Sequence, residues 1–205
     1  MNLYFARHGQ SIANVQHIIS NRDVPHPLTD LGREQARALA EKLRAVRLNR
    51  IYTSPIPRAV ETAQIAAAAH GLDYEITGAL REFDCGVIEN RGDPESWARQ
   101  KQVWDAWLIH GDYEARVEGG ESFRDIQARF VPFIDQLLRQ SDGSDANLLL
   151  VGHGGLYLTM LPLVLGNIDQ DFALARSIDH THYILAEQRK NRLVCIEWCG
   201  EPVGQ

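Results

Sequence analysis

The sequence predicts an α/β fold of three layers, a doubly wound and mostly parallel sheet flanked by helices, with a small inserted cap. Three observations carry that prediction. Residues 3–6 and 147–151 are short apolar runs, as in strands of a parallel sheet covered on both faces. Both runs stop at a histidine beside glycine, in Arg7-His8-Gly9 and in Gly152-His153-Gly154-Gly155, where a chain can turn from strand to helix. Between them, strand-length and helix-period segments alternate instead of clustering by type. At 205 residues the chain suits one domain spanning 1–205, the cap being carried within it.

After the first strand, residues 12–28 read as mostly irregular, broken by Asn21, Pro25 and Pro27. Thr29 is a fitting cap for a helix in which Ala36, Leu39, Ala40 and Leu43 recur at helical spacing, to about Val46. Residues 50–54 make a second strand that Pro55 and Pro57 stop, and an alanine-rich helix follows over 58–70. Residues 72–76 make a third strand. From Cys85 the composition changes: 90–94 is turn-rich, and 96–110 is helical with Trp97, Trp104 and Leu108 near one face. Residues 85–120 are expected as the cap, its tryptophans read as the cap's own core in preference to a stacking platform, because a small subdomain needs large side chains to bury. Residues 122–138 form a long amphipathic helix with a candidate kink at Pro132, and 142–145 form a loop. The central strand 147–151 follows, and residues 181–186 and 193–198 are two last strands.

Composition narrows the function. A net charge of -6 argues against nucleic acid or an anionic membrane surface as the main partner, although a local cationic pocket can still hold a small anion. The longest nearly apolar run, residues 156–165, is about half the roughly 20 residues that a membrane span needs. Three cysteines, Cys85, Cys195 and Cys199, make no paired framework, and the first residues carry no leader pattern, so a cytoplasmic protein is the expectation. The oligomeric state stays open, a homodimer included.

Ligands of open parallel sheets collect beyond the carboxyl ends of strands, where Arg7 and His8 stand. Arg58 falls at a helix amino terminus beyond a second strand, a place with free N–H groups and a favourable dipole for an anion. Other chemistries fit worse. Tyr157 occupies the position of the third glycine of a dinucleotide fingerprint, and no Gly-Lys-Ser or Gly-Lys-Thr exists for a phosphate loop. A metal set from His180, His182, Cys195 and Cys199 fails on reach, since positions four apart on a strand lie about 13 Å from each other. His180, at a strand start, could reach the phosphate mouth, but the surface reading is preferred.

The ordered set resembles the histidine phosphatase superfamily, which includes the cofactor-dependent phosphoglycerate mutases. The likeness runs over most of the chain: Arg7-His8-Gly9 with Ser11 and Asn14, Pro27-Leu28-Thr29 with Gly32 and Gln35-Ala36, then Ser54-Pro55 with Arg58-Ala59 and Thr62-Ala63. It continues through Leu80 with Glu82 and Gly86, Gly120-Glu121-Ser122, and His153-Gly154-Gly155. The resemblance implies that His8 is a nucleophile that becomes phosphorylated and that Arg7, Arg58 and His153 bind the phosphoryl oxygens. It makes Glu82 the proton donor, with Asp84 the second candidate, and implies neither metal nor cofactor. By the same analogy Asn14, Ser20, Asn21 and Gly154 line the phosphate mouth, Asn21 standing where glycine is common.

Three functions fit: a phosphomonoesterase acting on a small phosphorylated metabolite, a phosphoglycerate mutase, and a phosphoester-binding module without turnover. The intact set of five residues speaks against the third. Against the second, the family's mutases share an Arg-His-Tyr run after the acid and carry longer insertions, whereas this chain has Arg81-Glu82-Phe83-Asp84-Cys85 and a short cap. The phosphatase branch often has Trp-Glu-Gly where this chain has Ile88-Glu89-Asn90. The expectation is a phosphatase.

Overall fold

The computed structural model of the protein describes residues 1–22, 26–140, 145–190 and 192–204. Pro25 and residues 142–144 of the expected loop lie outside them. The described residues form a seven-stranded sheet: β1 (Asn2–Arg7), β2 (Arg50–Thr53), β3 (Tyr74–Ile76), β4 (Asn147–Gly152), β5 (Tyr183–Arg189), β6 (Arg192–Trp198) and β7 (Glu201–Pro202), in the order β3-β2-β4-β1-β5-β6-β7. The first four in that order run parallel; β5, β6 and β7 are added antiparallel. The helices are α1 (Ile12–Gln16), α2 (Asp30–Lys42), α3 (Pro57–His70), α4 (Pro94–Leu108), α5 (Phe123–Gln140), α6 (Gly154–Val164) and α7 (Gln170–Leu174). None of the described helices is long and apolar enough to cross a membrane.

The two-residue period of the strands divides the core. Leu3, Phe5, Tyr52, Leu148 and Leu150 join α5 and α6 on one face, through Phe130, Ile134 and Tyr157 among others. Tyr4, Ala6, Ile51, Leu149 and Val151 join α2 and α3 on the other, through Leu39, Ala63 and Ala66. Each side chain of the size of Leu or Phe fully buried here contributes on the order of 2 kcal/mol. Small alanines on α3 let that helix lie close to the sheet, which brings its first turn to the strand ends.

Several elements differ from the sequence expectation for local reasons. Residues 12–28 are not simply irregular: Ser11 and Asn14 form a reciprocal capping box that starts α1, and His17 ends it in a left-handed conformation with φ of 54°. The helix of Thr29 stops at Lys42 instead of Val46, because the chain must turn and enter β2 at Arg50. Pro132 does not interrupt α5, which runs through it. Two elements had no sequence reading, α7 under its Asp169 cap and the two-residue β7.

Candidate active site

The strand register builds the site. Arg7 pairs with Gly152 at the ends of β1 and β4, so His8 and His153 leave neighbouring parallel strands at the same level. The backbone N–H of His8 donates to Gly152 O at 3.0 Å, and that of Ser54, just past β2, donates to Val151 O at 3.0 Å. Two helices begin here. α1, α2, α4 and α7 start under side-chain caps from Ser11, Thr29, Asp93 and Asp169, whereas α3 and α6 have no such cap. Both helices therefore turn the positive end of the dipole to the strand ends, as an anion site requires, although α3 opens on Pro57, which has no N–H, and Glu82 takes the Gly155 N–H of α6.

His8, Arg58, Glu82 and His153 are all buried. The His8 Nδ1–H donates to Gly9 O at 2.7 Å, and Arg58 Nε donates to His8 Nε2 at 2.9 Å. Together these bonds assign the proton to Nδ1 and the lone pair to Nε2. Arg58 also donates from Nη1 to Ser20 O at 2.6 Å and from Nη2 to His153 Nδ1 at 3.3 Å. That leaves the His153 proton on Nε2, which donates to Ser54 Oγ at 2.8 Å. Burial first, then Arg58 and the other cations, push both imidazoles well below their ordinary value and keep them neutral. Burial likewise lowers the Arg58 guanidinium to about 10.

Arg7 donates from Nη1 to Ile178 O at 2.8 Å, and its Nη2 lies 3.2 Å from His180 Nε2. Its Nε is buried with no hydrogen-bond partner among the described residues, an N–H that an oxyanion in the cavity would satisfy. Glu82 accepts from Gly155 N at 2.9 Å and from Phe83 N at 3.2 Å, yet burial outweighs these bonds and raises its carboxyl above the ordinary value. Gly155 is required at this point: a Cβ there would stand 2.9 Å from both Glu82 oxygens and 2.8 Å from Phe83 Cε1. Behind Glu82, the Arg129 guanidinium pairs with Glu121 and donates to Ala79 O, fixing the segment that carries the acid.

These groups open on a cavity of about 400 Å³ lined by Arg7, His8, Arg58, Glu82 and Gly154 on its floor. His153 sits directly behind it through Arg58, its ring 5.1 Å from that of His8. Asn14, Ser20 and Asn21 also line it, each with a structural hydrogen bond already in place. Asn14 serves the capping box, Ser20 Oγ pairs with His26 Nδ1 at 2.8 Å, and Asn21 Nδ2 donates to Phe83 O at 2.9 Å. Asp84 is not brought in: its carboxylate accepts from Arg22 Nε at 2.9 Å and from Gly86 N at 2.7 Å, away from the lining.

Two sequence expectations are corrected here. His180 is half-buried, not a surface residue, its ring 5.8 Å from that of His8 and its Nε2 within 3.2 Å of both Arg7 Nη2 and Asn14 Oδ1. Burial and Arg7 lower it to about 4. Its neighbour Asp179 and the short turn to β5 bring it back over the β1 end, a tertiary contact that no local pattern announces. The cap tryptophans do not all form a cap core: Trp107 is buried, but Trp97 and Trp104 line the cavity, together with Gln100 and Lys101. Ser54 and Thr62, which orient His153 and the Gly9 N–H, were visible only as parts of longer motifs.

Comparison with known proteins agrees with this geometry. Residues 3–200 match the model of the Histidine phosphatase superfamily (branch 1). A protein of Enterobacter sp. (strain 638) named "Probable phosphoglycerate mutase GpmB" is 32% identical over 166 residues, 81% of this chain and 75% of that one. Among solved structures, a mycobacterial glucosyl-3-phosphoglycerate phosphatase in complex with VO3 is 26% identical, with a TM-score of 0.82 over 98% of this chain and 99% of that one. The alpha-ribazole phosphatase of Shigella flexneri is 25% identical, with a TM-score of 0.81 over 100% of this chain and 99% of that one.

Proposed function

The chain belongs to the histidine phosphatase superfamily, branch 1, and from that premise we propose that it is a metal-independent phosphomonoesterase that works through a phosphohistidine on His8. One observation carries the reading: the unprotonated Nε2 of His8 faces Arg58 Nε at 2.9 Å on the floor of the cavity that Glu82 also lines. Nucleophile, cation and acid thus converge on one point.

A phosphoryl group entering the cavity meets Arg58 and Arg7, whose guanidinium groups neutralise its equatorial oxygens. Phosphoryl transfer asks for an in-line nucleophile and for charge stabilisation, and little other covalent chemistry. His8 Nε2 attacks phosphorus, with Nδ1–H held on Gly9 O so that the correct nitrogen is always presented. His153, kept neutral by burial and then by its cationic neighbours, accepts from Arg58 Nη2 and steadies the guanidinium that meets the phosphoryl group. The raised carboxyl of Glu82 protonates the departing alkoxide and, as carboxylate, activates the water that releases phosphate from His8. The free thiols Cys85, Cys195 and Cys199 suit a reducing compartment, and we place the protein in the cytoplasm with a small phosphorylated metabolite as substrate.

The similarity to proteins named as phosphoglycerate mutases makes isomerisation the second reading. A panel of phosphomonoesters, with 2- and 3-phosphoglycerate interconversion run beside it, separates the two. Phosphate release without interconversion is expected, and it should persist after exhaustive chelation, since Arg7 and Arg58 provide the charge that metal-dependent phosphatases take from ions. Interconversion faster than hydrolysis would establish the mutase; turnover lost in EDTA and restored by zinc or magnesium would overturn the metal-independent mechanism.

A further inference from the structure

The outer wall of the cavity differs in kind from its floor. Ile18 and Ile19 form one side; Phe83, Trp104 and Trp97 form the other. The aromatic side is fixed in place. Phe83 and Trp104 have ring centroids 5.9 Å apart, and Trp97 Nε1 donates to His17 O at 2.9 Å, which ties α4 to the end of α1. Backbone bonds between Ile19 and residues 90 and 91, at 2.7 and 2.8 Å, hold the same junction.

Part of the polar lining of this wall is engaged within the protein. Asn21 Nδ2 is on Phe83 O and Cys85 Sγ, Gln100 Nε2 on Cys85 Sγ at 3.4 Å, and Ser20 Oγ on His26. Lys101, the one cation of the wall among the described residues, is paired with Asp105. A polyhydroxylated alcohol would exchange water for apolar surface and occupied donors, which is unfavourable; a flat apolar group would be buried between aromatic faces, which is favourable.

We propose, resting on the phosphatase reading above, that the substrate is a phosphomonoester whose alcohol carries an aromatic or similarly flat apolar group, received by Phe83, Trp97 and Trp104. The test compares esters of closely matched leaving oxygens, 2-phenylethyl phosphate and ethyl phosphate, with glycerol 1-phosphate as the polyol. Burying one phenyl ring against this wall should raise kcat/KM for 2-phenylethyl phosphate over ethyl phosphate by about 50-fold. Glycerol 1-phosphate should be no better than ethyl phosphate. In Trp97→Ala, at a position 39% exposed, the ratio between the two esters should fall by about tenfold, and Trp104→Leu should lower it as well, each variant keeping the far-ultraviolet circular dichroism of the native fold. Equal kcat/KM for the three esters, or preference for the polyol, would overturn the inference while leaving the phosphatase reading intact. An unchanged ratio in both variants would overturn it too. Absence of hydrolysis of all three, with no phosphohistidine formed from acetyl phosphate, would instead overturn the phosphatase reading on which it rests.

Discussion

The floor and the outer wall of one cavity are built by opposite means. The floor comes from strand ends and uncapped helix starts: β1 delivers Arg7 and His8, β4 delivers His153, and the first turn of α3 delivers Arg58. Backbone register sets their spacing, so the chemistry is held by the most rigid part of the molecule. The wall comes from Ile18 and Ile19 just past α1, from α4, and from Phe83 beside Glu82, the first two joined by a few hydrogen bonds between residues 17–19 and 90–97. On the proposals above, the floor carries the reaction and the wall the choice of alcohol, with Phe83, bonded through its N–H to Glu82, standing where the two meet.

The largest effect should come from the floor. His8→Ala removes the covalent route altogether, and steady-state turnover should fall by at least about 10⁴-fold while the far-ultraviolet circular dichroism stays that of the native fold. Activity within about tenfold of wild type, roughly 1.4 kcal/mol of barrier, would show that His8 is not the nucleophile.

Glu82→Gln sharpens the comparison further, because a general acid matters in proportion to the leaving oxygen's need for a proton. An alkyl phosphate should lose on the order of 10²-fold or more, whereas the first phosphoryl transfer from p-nitrophenyl phosphate should lose far less. The sign of the pH dependence follows from the raised carboxyl: the protonated acid is competent, so the alkyl-ester rate falls on the alkaline side, and Glu82→Gln should lack that limb. Equal losses on both esters, with the alkaline limb retained, would take the acid role from Glu82.

The smallest effect is on stability. His8 and His153 are held well below the ordinary imidazole value and His180 at about 4, so below about pH 6.5 the unfolded chain binds more protons than the folded one. Stability is full above that pH and is lost as pH falls toward the folded values. The urea midpoint should therefore drop between pH 7 and pH 5, and His180→Asn should reduce the drop. Glu82 and Glu89, both raised by burial, act in the opposite sense, so the drop should be steeper in Glu82→Gln, and a midpoint constant with pH in that variant would mean that these imidazoles are not buried in neutral form.

The floor was legible in the sequence because its residues sit at breaks of pattern. Apolar runs end at Arg7-His8 and at Gly152-His153, prolines mark the start of α3, and Gly154-Gly155 marks the turn into α6, while the close approach of Glu82 to Gly155 is visible only in the structure. The parallel order of the strands follows from their two-sided apolar character and the helices between them. The wall was not legible. Whether Trp97 and Trp104 pack inward or face a ligand depends on how α4 tilts against α1, which no periodicity records, and Trp107, three residues on, is buried while Trp104 reaches the cavity. His180 was misjudged for the same reason: its place beside Arg7 is set by residues far apart in the chain. Short elements such as α1 rest on single caps, and Ser11 with Asn14 gives a signal no stronger than that of an ordinary turn.

The central claim, that His8 Nε2 accepts the phosphoryl group on a floor charged by Arg58 and Arg7, is tested most directly by rapid-quench labelling. Wild type and Glu82→Gln are mixed with a radiolabelled aryl phosphate and quenched in alkali within milliseconds. The protein-bound label should be acid-labile and alkali-stable, map to the peptide of His8, accumulate more in Glu82→Gln, and be absent from His8→Ala. Steady hydrolysis by wild type with no label on His8 in either protein would contradict the account.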